Sequence, residues 1–221
     1  MHQLRKEGLV IGRYRVRRLM RLAGIVARKR RRYKTTTHSK HRYTVSPNLI
    51  AGCFQTSEPN LVWVSDITYI KTMEGWLYLA VVMDLFSRKI VGWSLPRNMA
   101  VEMVKAALLM AIGRRKSAPG LIHHSDRGSQ YACSEYRGLL AANGMISSMS
   151  RSGHCLDNAV AERFFRTLKN ECLVNWRELP AESVRQDIVE YIEMFYNSQR
   201  LHSYNGYCSP NDYEKRALTL V

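Results

Sequence analysis

The run Leu61-Val62-Trp63-Val64-Ser65-Asp66-Ile67-Thr68-Tyr69-Ile70 is dominated by β-branched and aromatic residues and reads as a strand. One carboxylate, Asp66, stands in its middle. Aspartate is disfavoured in strands, and a buried charge needs a metal ion, a partner cation or a proton. Either Asp66 serves a chemistry, or it is a strand-end residue capping a turn. Any fold for this chain must give that strand cover on its flanks and a reason for its acid.

The neighbouring segments supply the cover. Glu74-Gly75 turns the chain into Trp76 to Leu85, apolar on both faces and so expected inside a sheet; Ser87-Arg88-Lys89 turns it again into Ile90 to Leu95. Three strands on short turns imply an antiparallel meander. Helical periodicity follows over Ala100 to Arg114, then a short strand, Leu121 to His124, then a helix over Ser134 to Asn143 closed by Gly144. Met145 to Met149 is a fifth strand. A polar loop, Ser150 to Leu156, contains Gly153 and leads into helices over Asn158 to Val174 and Ala181 to Asn197. This order predicts an α/β fold with a mixed five-stranded sheet flanked by helices, the layout of the ribonuclease H type. Trp63, Trp76 and Trp93 are expected in its core.

Charge divides the chain differently. Lys and Arg number 34 against 18 Asp and Glu, a net +16. Residues 1–44 hold 15 of those cations and one acid, Glu7, so the arm carries +14 and the remainder +2. Tyr14, Val16, Leu19, Met20, Ala23, Val26 and Ala27 recur at helical spacing among Arg15, Arg17, Arg18 and Arg21. Arg28, Lys29, Arg30, Arg31 and Arg32 continue as an extended arm. A concentrated basic segment beside a nearly neutral body is the footprint of a polyanion binder; a solubilising tail or attraction to anionic lipid is the alternative. Ser46-Pro47-Asn48 and Ser57-Glu58-Pro59-Asn60 punctuate the chain, so the expected organisation is a basic helical DNA-binding arm over 1–45, partly helix-turn-helix-like, and a core over 55–221.

Other classes are excluded. The longest uncharged apolar stretch, Leu77 to Met83, is far short of the ~20 residues that cross a bilayer. Five scattered cysteines without a Cys-x-x-Cys give neither a disulfide framework nor a zinc knuckle, and His38 and His41 read as polar arm residues. A protein of the reducing cytoplasm is expected.

Two further acids stand out. Asp126 closes the fourth strand in Ser125-Asp126-Arg127-Gly128, either as a ligand-binding group at a strand end or as an ordinary turn. Glu162 lies on a helix whose Ala161, Phe165, Leu168 and Cys172 form an apolar stripe. Glu162, Arg166 and Lys169 line the adjoining flank, where the acid would take a metal and the cations phosphates, or Glu162 and Arg166 would form a surface salt bridge. Asn158 is one turn earlier on that flank and is a candidate contact to a terminal base or phosphate. Asp157 is placed to cap the helix, and His124 either supports Asp126 or is a plain strand residue.

These blocks together resemble a known signature. Trp63 to Tyr69, His124 to Tyr131 and Asp157 to Lys169, with 35 residues enclosed between Asp126 and Glu162, are similar to the catalytic motifs of insertion-sequence transposases of the IS-three group, OrfB subunit, related to retroviral integrases. Tyr196-Asn197-Ser198-Gln199-Arg200-Leu201-His202 and Ser209-Pro210 resemble the end of that family, so the likeness runs from about residue 10 to 217. The resemblance implies a DDE-type polynucleotidyl transferase with Asp66, Asp126 and Glu162 as catalytic and metal-binding triad. Its cofactor would be two Mg²⁺ ions, with Mn²⁺ able to substitute; Asp66 would bridge them, and Asp126 and Glu162 would each hold one. Water would free a 3′-OH at the element end, and that 3′-OH would attack a second phosphodiester. The implied partners are double-stranded DNA of the terminal repeats and target, further copies of the chain, and a helix-turn-helix protein or fusion from an upstream reading frame. The implied setting is the bacterial nucleoid, with no membrane. Two other readings remain open on residues alone: a noncatalytic DNA-binding or regulatory subunit, and a ribonuclease H-like nuclease without strand transfer.

Overall fold

The strand that carries Asp66 lies at the centre of a five-stranded sheet. The computed structural model describes residues 1–26, 43–151, 155–173 and 175–219. Strand β1 (Val62–Thr72) pairs antiparallel with β2 (Gly75–Asp84) and parallel with β4 (Ile122–Ser125). β2 pairs antiparallel with β3 (Ile90–Ser94), and β4 parallel with β5 (Ile146–Met149), giving the order β3-β2-β1-β4-β5. The antiparallel meander and the mixed sheet are as expected. So are the strand positions, within two residues at each end.

Helices α1 (His2–Lys6) and α2 (Arg13–Leu22) precede the sheet, and neither buries a side chain. Helix α3 (Val101–Arg115) joins β3 to β4; α4 (Ser129–Ala132) and α5 (Ser134–Ala142) join β4 to β5. Helices α6 (Ala159–Glu171), α7 (Ala181–Glu190) and α8 (Pro210–Thr219) follow. Periodicity merges 181–197 into one helix, but the structure widens it into a π turn over Tyr191–Tyr196. It also adds α4 and α8, whose single turn and polar composition give too little periodic signal.

Strand alternation decides what each helix meets. Val62, Val64 and Ile70 of β1 join Val81 and Met83 of β2 in a core with Phe164, Phe165 and Leu168 of α6 and Val184 and Ile188 of α7. Trp63 of β1 joins Ala80 and Val82 in the opposite core, with Val104, Leu108, Tyr136 and Leu140 of α3 and α5. Asp66 shares parity with Val62 and Val64 and therefore belongs to the α6 face; Ser65 belongs to the other. Each fully buried Leu, Ile or Phe in these layers contributes roughly 1.5–3 kcal/mol. Helix α3 sits close on β3 because residue 92 is glycine: a Cβ there would collide with the Ala107 carbonyl oxygen. Of the three tryptophans expected in the core, Trp63 is fully buried and Trp93 half-buried, its Nε1 donating to Glu193 at 2.7 Å. Trp76 is a correction: it is 48% exposed, at the hairpin mouth, with the Lys71 ammonium 5.7 Å from its ring centre.

The sheet edges and the α3 terminus are tied by polar side chains. Asn197 accepts from the Ile90 amide at 2.9 Å and donates to the Ile90 carbonyl at 3.0 Å, occupying the outer edge of β3. On the far edge, the Met149 amide of β5 donates to the Pro47 carbonyl, and the Leu49 amide to Ser148 Oγ at 2.9 Å. Arg115 bridges Asp84 at 3.1 Å and Glu214, joining α3, β2 and α8 in a cluster where the Asp84 side chain is fully buried.

Candidate active site

Three elements bring the predicted acids to one neighbourhood. β1 presents Asp66 toward α6, the end of parallel neighbour β4 presents Asp126, and α6 carries Glu162 in its first turn. Asp66 is half-buried, and its Oδ1 accepts from the Ile67 amide at 2.8 Å. Burial, and after it the Asp126 charge, push its pKa well above the usual carboxylate range; Glu162 adds to the rise and Lys169 opposes it. Glu162, exposed on the helix flank, is also raised, by desolvation and by Asp126 against the pull of Arg166. Asp126 Oδ1 accepts from the Gly128 amide at 2.8 Å. A Cβ on residue 128 would stand 2.9 Å from that same oxygen, so glycine permits the turn that aims the acid.

The acids thus share an electrostatic field, but they do not share a coordination shell. Among the described residues, no three His, Cys, Asp or Glu side chains form a group that could hold a metal ion. Like carboxylates without a cation between them repel, and an exposed acid on a helix flank stays apart. The donor set suits a hard divalent cation: it is all oxygen, and its raised pKa values mark negative charge that a cation would relieve. Two buried polar atoms nearby, Asn158 Oδ1 and the Tyr131 hydroxyl, have no hydrogen-bond partner among the described residues, and the Tyr131 hydroxyl feels the charges of both Asp66 and Asp126.

The other candidate residues divide. Lys169 is half-buried beneath β1, its Nζ donating to Thr68 Oγ1 at 2.6 Å. Burial lowers its pKa to about 8 against the pull of Asp66. Arg166 is exposed on the flank beside Glu162, as are Arg15, Arg17, Arg18 and Arg21 on α2. Arg28, Lys29, Arg30, Arg31 and Arg32, with His38 and His41, lie outside the described residues. Asn158 is buried instead of lining the exposed flank, and its Nδ2 donates to the Ser65 carbonyl at 3.2 Å. His124 links strands: Nδ1 meets Ser148 Oγ at 2.8 Å and Nε2 meets Ser150 Oγ at 3.2 Å. Burial lowers its pKa to about 4, which keeps it neutral. Asp157 does not cap α6 with its side chain; Asn158 occupies the cap position, and the Asp157 carboxylate turns to Asn48 and Arg151.

Residues that sequence reasoning misses lie under the acids. Ser65 Oγ and the Tyr136 hydroxyl both meet His123 Nε2, at 2.8 and 3.0 Å, in a fully buried group below β1. Arg127 Nε donates to the Ser150 carbonyl at 2.7 Å, holding the turn after Asp126 to the end of β5. Strand parity signals Ser65 as inward-facing, but nothing in the sequence names its partners 58 and 71 positions away.

Known proteins match this arrangement. The integrase core domain family matches residues 56–155, and a second integrase core domain family matches residues 162–218. The transposase for insertion sequence element IS904 of Lactococcus lactis subsp. lactis is 45% identical over 96% of this chain and 84% of its own length. The chain belongs to the integrase-core transposases of insertion sequences. Transposase InsF of insertion sequence IS3A from Escherichia coli K12 is 40% identical over 98% of this transposase and 75% of its own length, which places the chain in the IS-three group. It is accordingly a DDE-type polynucleotidyl transferase. The HTLV-2 integrase catalytic core, solved with magnesium in a dimeric form, superposes with a TM-score of 0.54 over 72% of this chain and 98% of its own, at 19% identity. That likeness shows the ribonuclease H-like fold of the transposase. No described helix is long and apolar enough to cross a membrane.

Proposed function

We propose that this transposase cuts and joins DNA strands at insertion-sequence ends with Asp66, Asp126 and Glu162 as its catalytic carboxylates. The observation that supports the reading is the arrangement of Asp66 on β1 beside Asp126 at the end of β4 and Glu162 in the first turn of α6, and the raised pKa of Asp66 agrees with it. Mg²⁺, or Mn²⁺ in its place, would be held by these three residues, supplying nucleophile activation and charge neutralisation at the phosphodiester. The chain's own groups then position the DNA. Arg166 and Lys169 continue the Glu162 flank and offer cations to the phosphates on either side of the scissile bond. Asn158 is buried and acts through its bond to the Ser65 carbonyl, steadying the strand that carries Asp66. His124 and Asp157 hold the surrounding loops, and the basic residues of 1–45 supply sequence-independent affinity for the duplex. The reaction runs in two steps: water attacks and leaves a 3′-OH, then that 3′-OH attacks a target phosphodiester and the target strand's own 3′-oxygen departs. Copies of the chain and an upstream helix-turn-helix partner would bring two ends together, on the bacterial nucleoid.

Incubation of the purified chain with labelled duplex and Mg²⁺ or Mn²⁺, with and without a helix-turn-helix partner, tests this. Joined products are expected. Nicks without joining would reduce the reading to a nuclease, and a mobility shift without any cutting would reduce it to a DNA-binding subunit.

A further inference from the structure

Asp157 is 2% exposed, and its carboxylate gathers side chains from two pieces of chain, the stretch around Asn48 and the residue Arg151 that follows β5. Oδ2 accepts from Asn48 Nδ2 at 2.8 Å, from the Arg151 amide at 2.9 Å and from Arg151 Nε at 3.2 Å, while Oδ1 accepts from Arg151 Nη2 at 3.2 Å. Arg151 keeps 55% of its side chain in solvent, so its charge is screened and adds little by itself. Asn48 is the neutral donor from 109 positions upstream.

Asn48 is itself fixed. Its Oδ1 accepts from the Ile50 and Ala51 amides at 3.1 and 2.8 Å, closing a turn, which leaves the Nδ2 group to face Asp157. Ile50 is buried in the core beneath α6, and Ser46 Oγ meets Ser147 Oγ of β5 at 2.9 Å. The stretch 46–51 is therefore laid along the β5 edge with one side chain reaching the entrance of α6. The next residue after Asp157, Asn158, holds the Ser65 carbonyl, and Ser65 precedes Asp66. Two hydrogen bonds, Asn48 to Asp157 and Asn158 to Ser65, are joined by the peptide bond between Asp157 and Asn158 and so connect Asn48 to the strand of Asp66, one helical turn before Glu162.

We propose that Asn48 and Asp157 form a latch that positions Glu162 against Asp66, so that the segment entering the core from the basic arm is part of the catalytic apparatus. Both are positioning residues, and the proposal rests on the active-site reading above. An acid on a helix flank is sensitive to such support, because a misplacement of about 1 Å can cost about 100-fold in rate.

Asn48→Asp isolates the latch. It keeps an oxygen for the Ile50 and Ala51 amides, and sets a second carboxylate against Asp157. Asp157→Asn removes the acid, and the double variant restores an amide-carboxylate pair with its ends exchanged. The measurements are kcat and KM for nicking of supercoiled plasmid with Mn²⁺, and hydrogen exchange of the amides over 158–165. Each single variant should lose about tenfold or more in kcat at little change in KM. Each should also exchange faster over 158–165 while the β1 and β2 amides stay protected. The double variant should recover both. Wild-type rates and exchange in Asn48→Asp, a double variant no better than the singles, or loss of protection throughout the core would overturn the latch. A wild-type chain that fails to nick would sink the metal-dependent cleavage reading, and the exchange comparison would still decide the latch.

Discussion

The side-chain amide of Asn158 donates to the Ser65 carbonyl oxygen at 3.2 Å, joining the residue that opens α6 to the residue that precedes Asp66, 93 positions away. The separation of Glu162 from Asp66 is thus set by a hydrogen bond between neighbours of the acids as well as by core packing. Asn158→Ala removes it. The net loss of one neutral hydrogen bond is about 1 kcal/mol, partly offset because the buried, unpartnered Oδ1 disappears too. Melting should move by only a few degrees while nicking falls by about 10–100-fold. Equal losses in stability and activity would show that Asn158 matters only to the fold.

The acids themselves should trade stability against activity. Asp66→Asn, Asp126→Asn and Glu162→Gln are each expected to abolish Mg²⁺- or Mn²⁺-dependent cleavage with DNA binding retained. Because Asp66 and Glu162 have raised pKa values in the folded chain, their charged forms are penalised at neutral pH. Asp66→Asn should therefore raise the melting temperature of the metal-free protein, each 1 kcal/mol appearing as about 2–4 °C in a chain of this size. Scanning calorimetry without divalent ions reads this directly, and a lower melting temperature would contradict the electrostatic account of the site.

Arg115→Met should be among the most damaging single changes outside the site. It strands the fully buried Asp84 and the nearly buried Glu214, the usual cost of which is about 3–5 kcal/mol. Urea unfolding followed by tryptophan fluorescence should show the midpoint falling by that measure; a change under about 1 kcal/mol would mean that solvent reaches the cluster.

Mild acid should weaken the fold through its histidines. Burial lowers His123 to about 3 and His202 to about 4, so both remain neutral in the folded chain while the unfolded chain protonates them near pH 6.5. The unfolded state binds more protons throughout the window from 6.5 to about 4, so stability is full above that window and falls as pH drops through it, by up to about 1.4 kcal/mol per pH unit for each histidine. Melts at pH 7.5 and 5.0 should differ accordingly, and His123→Gln should reduce the difference.

Deleting residues 1–44 should flatten the salt dependence of DNA binding. Each phosphate that the shortened chain no longer neutralises takes about 0.9 from the slope of log affinity against log salt, and that stretch holds 15 of the 34 basic residues. An unchanged slope in electrophoretic titrations from low to moderate salt would assign the duplex to the core instead.

Much of this arrangement is legible in the sequence where periodicity is strong. The β-branched and aromatic run of β1, the two-faced apolar run of β2, the apolar stripe of α6 and the glycine after α5 place the sheet, while the resemblance of the motif blocks groups the three acids. What escapes is polar and distant. The amide at Asn48 and the carboxylate at Asp157 have no periodic signature, and an aspartate before a helix reads as a cap because the local rule is strong. Trp76 reads as core because its strand is apolar, but its position at the hairpin mouth, paired with Lys71, leaves it in solvent. Tertiary partners decide such residues, and spacing does not encode them.

The carboxamide that Asn197 lays against Ile90 has a consequence for life on crowded DNA. An uncovered outer strand invites a neighbour's strand to add to it, and molecules collected on one duplex stand at high local concentration. With the β3 rim occupied at that register by a side chain and the opposite rim by the Pro47–Leu49 stretch, copies can gather without zipping their sheets together. Any assembly of copies would then fall to helices and side chains.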